Sequence, residues 1–193
     1  MLIGDPVVFA VESRITQAYH QVGLRALGYF VIYIRTLCYG RRSADATMLA
    51  CSLDEVQRRV AMRGNHTAPF ADENNAGRIA DAFRSAVYGV KQSAAYFGIP
   101  LLQFRNLLYS NHLVWAPDGD EAFDDGSYVL QFDMRDHVRL VAFKSVAGGS
   151  YDPATLRDVR LESDDFYGLL ANWHSTFEKE WASSPKVDGT HIG

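Results

Sequence analysis

Cysteine is scarce in this chain: two residues among 193, Cys38 and Cys51, thirteen positions apart. That spacing matches no zinc or redox motif, so both are expected to be buried, reduced thiols. Long apolar runs are missing too. None approaches the ~20 residues that span a bilayer, so no membrane-spanning helix is expected. The opening residues, Met1-Leu-Ile-Gly-Asp5-Pro6, have no basic stretch ahead of an apolar one. No secretory signal is read there, and a cytoplasmic protein is expected. There is no glycine-rich phosphate loop, since Gly148-Gly149 runs into Ser-Tyr-Asp-Pro, a turn composition. No Gly-x-Ser-x-Gly elbow occurs. The six histidines, at 20, 66, 112, 137, 174 and 191, form neither His-x-x-x-His nor His-Glu-x-x-His. No cofactor, metal centre or catalytic set is expected. Internal repeats and low-complexity stretches are also absent.

What is present fits one soluble globular domain: 48% hydrophobic residues, 22% charged, net charge -4. A chain of this length buries roughly 70% of its unfolded surface, enough for a core without disulfides. One domain over residues 1–182 is expected, followed by a polar, flexible tail over 183–193. Charge is uneven. Residues 1–110 carry a net +4 and residues 111–193 a net -8. The acidic half argues against nucleic acid as a ligand and for a basic protein partner.

Ala26–Ile34 reads as a strand buried on both faces. Leu37–Arg42 returns antiparallel to it, although Arg35-Thr36 lacks the Gly or Asn that a two-residue turn favours. Ala46–Ala50 reads as a third short strand. Ser52 and Glu55 form a capping box for a helix ending near Arg63, with Leu53, Val56 and Val60 inward. Asp54/Arg58 and Glu55/Arg59 are expected to pair on its wet face. Helices follow over 75–88 and from Pro100 to about Tyr109. Ser127–Asp133 and His137–Lys144 alternate as a hairpin joined by 134–136. Leu156–Leu161 is a weaker strand at an edge. The last helix starts at Ser163, its cap, and buries Phe166, Leu169, Leu170, Trp173, Phe177 and Trp181. The order of elements argues for an α+β fold, with a mainly antiparallel sheet packed against helices and a long C-terminal helix.

The densest chemistry is a run of five carboxylates in eight residues: Asp118, Asp120, Glu121, Asp124 and Asp125, framed by Trp115, Phe123 and Tyr128. Like charges this close repel. Such a loop binds a cation, faces a basic partner or is solvated surface. Counted from Asp118, an EF-hand needs an oxygen ligand, glycine and glutamate at positions five, six and twelve; Ala122, Phe123 and Val129 stand there instead. Interleaved aromatics favour a partner-facing patch, with Trp115 and Tyr128 as candidate anchors. His174 and Glu178 read as a hydrogen-bonded pair on one helix face. His66 is the most site-like histidine, and a small hydrolase using it with an acidic partner is the alternative reading.

Four segments in order resemble the bacterial immunity protein 42 family of polymorphic toxin systems. They are Gly4-Asp5-Pro6-Val-Val-Phe9-Ala-Val-Glu12-Ser13; Arg25-Ala-Leu-Gly-Tyr-Phe-Val-Ile32; Tyr39-Gly40 with Ser43 to Glu55; and Val114 to Tyr128. The similarity covers about residues 1–165, and Arg35-Thr36 departs from the glycine-rich turn expected there. The resemblance implies a non-enzymatic protein that binds and blocks a toxin domain made by the same cell. Many such toxins are nucleases with basic clefts. No catalytic residues carry over.

Overall fold

The computed structural model describes residues 1–89, 94–116, 121–146 and 150–188. It is an α+β domain built on two antiparallel sheets. The chain opens with β1 (Leu2–Asp5) and β2 (Phe9–Tyr19), then β3 (Ala26–Ile34), β4 (Leu37–Tyr39) and β5 (Thr47–Met48). Helix α1 (Leu49–Ala61) and helix α2 (Ala76–Tyr88) follow. A small ribbon, β6 (Ala95–Tyr96) and β7 (Ile99–Pro100), leads into α3 (Leu101–Ser110). Then come β8 (Val114–Ala116), β9 (Ser127–Asp133), β10 (His137–Lys144) and β11 (Arg157–Glu162). The long helix α4 (Ser163–Ser183) precedes β12 (Lys186–Val187).

Sheet one runs β1-β2-β3-β4, with β5 also on β3 and β12 parallel to β2; sheet two runs β11-β10-β9-β8. Sheet two is the middle layer, because alternate residues of β9 and β10 serve two different cores. Val129, Val138, Leu140 and Ala142 face a core shared with sheet one, α1 and α4. Tyr128, Leu130, Phe132, Val141 and Phe143 face a second core under α2 and α3. Strand β3 is buried on both sides, as its composition predicts. Phe30, Ile32 and Ile34 enter the main core, while Tyr29 and Val31 form a small outer cluster with Ala46. Gly28 is required on β3: a Cβ there would lie 1.9 Å from the Arg14 carbonyl oxygen across the pair.

Several expectations change. Strands β1 and β2 were not anticipated as elements. The expected strand at 46–50 shrinks to Thr47–Met48, since Leu49 and Ala50 already belong to α1. Leu49 is fully buried, so burial rather than the capping box sets the helix start. Ser52 sits inside the helix, buried, with its hydroxyl unpartnered. Arg59 leaves the wet face and is fully buried. Glu55 pairs with both Arg58 and Arg59. On α4 the first residue is Ser163 and Glu162 occupies the cap position without a side-chain bond. Glu178 pairs with Arg25 at 3.1 Å rather than with His174. Cys38 is half-buried and Cys51 exposed, and neither is in a disulfide. The segment expected as a tail from Ser183 is partly docked, Lys186 and Val187 pairing with Ala18 and Tyr19. Residues 189–193 lie outside the described residues.

The Arg35-Thr36 turn is nonetheless a two-residue hairpin, closed by Ile34 opposite Leu37. Both residues adopt positive φ, 47° and 70°. That conformation suits Asn-Gly, and a β-branched threonine pays strain in it.

Candidate functional site

Strand β8 delivers the chain into the acidic run. Asp118 and Asp120 lie outside the described residues. Beyond them, Glu121–Phe123 makes one turn of 3-10 helix. Its inner side is built into the core: Ala122 is fully buried and Phe123 meets Phe30 edge-on at 6.2 Å. Gly40 allows this seat. Its φ is 111°, and the next residue, Arg41, donates its N–H to the Ala122 carbonyl at 2.7 Å. The Gly40 N–H donates to Ser127 Oγ at 3.1 Å. The outer side of the turn presents Glu121 and Asp124 to solvent. Asp125 has a different duty. It accepts the Ser127 N–H at 3.2 Å and pairs with Lys144, which fixes the entry to β9.

The two ring anchors are corrected. Trp115 is 1% exposed and Tyr128 4% exposed, and they belong to different cores on opposite faces of sheet two. Trp115 packs on Phe9 and, edge-on at 6.0 Å, on Phe166, with the Arg59 guanidinium 5.0 Å from its ring. Tyr128 stacks on Phe143, and its hydroxyl accepts from Arg84 at 3.0 Å. Val114 pairs with Leu130 and shares its face with Leu130 and Tyr128, so Trp115, the next residue along β8, turns to the other face.

Under β8 lies a polar network that sequence patterning missed. Arg59 donates to the carbonyls of His112 (3.2 Å) and Val114 (2.8 Å) and to Gln131 Oε1 (3.0 Å), while pairing with Glu55 (2.9 Å). Burial pushes its pKa down to about 10, opposed by Glu55. Gln131 and the Tyr167 hydroxyl both donate to Asp133 Oδ1, at 3.1 and 2.7 Å. Asp133 Oδ2 takes the Gly64 N–H at 2.6 Å and the His66 N–H at 3.3 Å. The only signal in the sequence was Arg59 falling near the inward stripe of α1.

His66 is closed off from solvent at 0% exposure, its Nδ1 3.1 Å from the carbonyls of both Asn111 and His112. Burial lowers its pKa, with the Arg59 charge adding to the effect. It holds a loop end and has no access to a substrate. A cleft of about 400 Å³ opens between α1 and α3 over Val114 and Trp115, with Asp54, Glu55, Arg58 and Tyr109 on its walls. Among the described residues no three His, Cys, Asp or Glu side chains converge to hold a metal ion. No helix among them is long and apolar enough to cross a membrane. The arrangement sets the exposed carboxylates of Glu121 and Asp124 on a firmly packed base.

None of the curated proteins compared with the chain matches it. Among solved structures, CdiI from Burkholderia dolosa shares the fold, with a TM-score of 0.56 at 15% identity, covering 91% of this chain and 99% of that one. The family model described as immunity protein 42 matches residues 1–176, nearly the whole of the two-sheet domain described above. The chain therefore belongs to the immunity protein 42 family.

Proposed function

We propose that this protein neutralises a toxin domain made by the same cell by binding it, and that the acidic turn is the face that meets the toxin. Membership of an immunity-protein family over residues 1–176 carries the reading. The seating of the turn supports its finer part: Glu121 and Asp124 are exposed on a buried base, and Asp118 and Asp120 adjoin them in sequence. The partner in this reading is a basic domain, such as a nuclease, whose cleft takes carboxylates in place of phosphates. Complementary charge then speeds encounter. The burial of Trp115 and Tyr128 leaves the anchoring contacts to other groups, and Tyr109, 55% exposed beside the α1–α3 cleft, is the best placed ring. A hydrolytic role for His66 finds no support in its enclosed position.

The test is association with the toxin encoded beside this gene, measured by stopped flow at two ionic strengths. Reversing Asp120, Glu121 and Asp124 to lysine is expected to slow association about tenfold or more at low salt, with a smaller difference at high salt. Unchanged rates would place the interface elsewhere. Failure of the wild-type protein to rescue cells expressing that toxin would overturn neutralisation itself.

A further inference from the structure

Away from the acidic turn, two shallow grooves meet over the outer edge of β11. One, of about 450 Å³, is lined by Val7, Val8 and Val159. The other, of about 300 Å³, reaches Asn74. Arg35 and Arg160 line both. Val159 and Arg160 are consecutive strand residues and point to opposite faces. A surface lined by both must therefore cross the strand's edge.

That edge is open. Among the described residues only β10 pairs with β11. The Met134 N–H bonds to the His137 carbonyl, so odd-numbered residues of β10 bond toward β9 and even ones toward β11. Val159, opposite Leu140, bonds inward. The N–H and C=O of Arg160 turn outward.

The charge is equally unspent. Arg139, opposite Arg160 on the strand pair, is 1% exposed and commits its guanidinium to Asp158 at 2.7 and 2.9 Å. Arg35 and Arg160 are exposed and have no ion pair or side-chain hydrogen bond among the described residues. Asp5, in the β1–β2 turn, accepts the Val7 N–H at 2.9 Å and forms no ion pair with either arginine. Two free guanidinium groups thus stand on a chain of net charge -4. Beside them Val7 and Val8 are 63% and 43% exposed.

We infer that the groove over the β11 edge seats an extended, acidic segment of a partner protein. The segment pairs its backbone with Arg160, sets carboxylates against Arg35 and Arg160, and lays apolar side chains on Val7 and Val8. Nucleic acid fits less well. Two arginines are few against the roughly six to ten phosphate contacts that carry such binding, and phosphates make no use of valines or an open strand edge.

The probe is a capped peptide of alternating glutamate and valine, titrated into the full chain and followed by amide NMR shifts. A glutamate-to-lysine version and a single-stranded oligonucleotide serve as comparisons. The expected result is shifts centred on Thr36, Val159 and Arg160, with affinity falling at least tenfold in the Arg35→Glu/Arg160→Glu protein. Arg35→Gln/Arg160→Gln, which adds no like charge beside Asp158, is expected to weaken binding in the same direction if the reversed pair fails to fold. Reversal of Glu121 and Asp124 is expected to leave peptide binding unchanged. Shifts elsewhere, equal binding of the lysine peptide or the oligonucleotide, or indifference to the arginine substitutions would overturn the inference. The toxin does not enter this test, so its outcome stands apart from the neutralisation assay.

Discussion

Replacing Trp115 by alanine separates a core residue from a surface anchor. The indole is 1% exposed and sits among Phe9, Phe166 and the Arg59 guanidinium. Its removal takes away a large buried surface and leaves a cavity between sheet one, sheet two and α4. Truncations of this kind cost about 3–5 kcal/mol. Loss of the guanidinium contact adds to that, since Arg59 then keeps its charge in a less favourable pocket. In a domain of this size each kcal/mol shifts the midpoint by about 2–4 °C. The melting temperature, followed by far-ultraviolet circular dichroism, is therefore expected to fall by roughly 6–20 °C. Trp115→Phe, which refills most of the space, is expected to fall far less. The opposite outcome, an unmoved melting temperature with loss of toxin binding, would show the indole working at the surface and refute the packing described here.

Three further outcomes follow from the same geometry. Arg35→Asn with Thr36→Gly places turn-compatible residues at the two positive-φ positions and is expected to stabilise the protein by about 1 kcal/mol in urea denaturation. No gain would mean that Arg35 and Thr36 hold their positive φ without measurable strain. Asp133→Ala removes the acceptor of Gln131, Tyr167 and two loop amides; a loss of about 2–3 kcal/mol is expected by the same denaturation, because water can reach only part of the site. His66 gives the third. Its folded pKa is depressed by burial and by Arg59, so the unfolded chain binds the proton first as pH falls. Its contribution is complete above about pH 6.5 and is lost as pH drops toward the folded value. Stability measured between pH 8 and 5 is expected to fall more steeply in the wild-type chain than in His66→Gln.

The sequence was most legible where one physical rule acted alone. The β9–β10 hairpin followed from alternation and α4 from its aromatic stripe, and the strand expected at an edge over Leu156–Leu161 is β11, which ends its sheet. Legibility failed where two rules competed. At Ser52 a capping pattern met the need to bury Leu49 and Ala50, and burial won. At Arg59 an ion-pair spacing with Glu55 was correct, yet it hid the fact that the guanidinium points inward to satisfy two β8 carbonyls. Strand β2 carries Glu12, Arg14 and Gln17 on its outer side, which masks the inward Phe9, Val11 and Ser13. The acidic run was visible as composition. Which of its members are free was not, because Asp125 is claimed by Lys144 only once β9 and β10 are paired.

The seat beneath Glu121 and Asp124 has a consequence for any encounter they take part in. Phe123 wedged on Phe30, and the Ala122 carbonyl held by the Arg41 amide, clamp this stretch of backbone before a second molecule arrives. Two carboxylates on a clamped mount surrender little freedom when they are captured, so more of their attraction survives as affinity. Loosening the clamp, as a side chain at position 40 would do by crowding the Ala122 oxygen at 3.0 Å, would tax the contact without touching either charge.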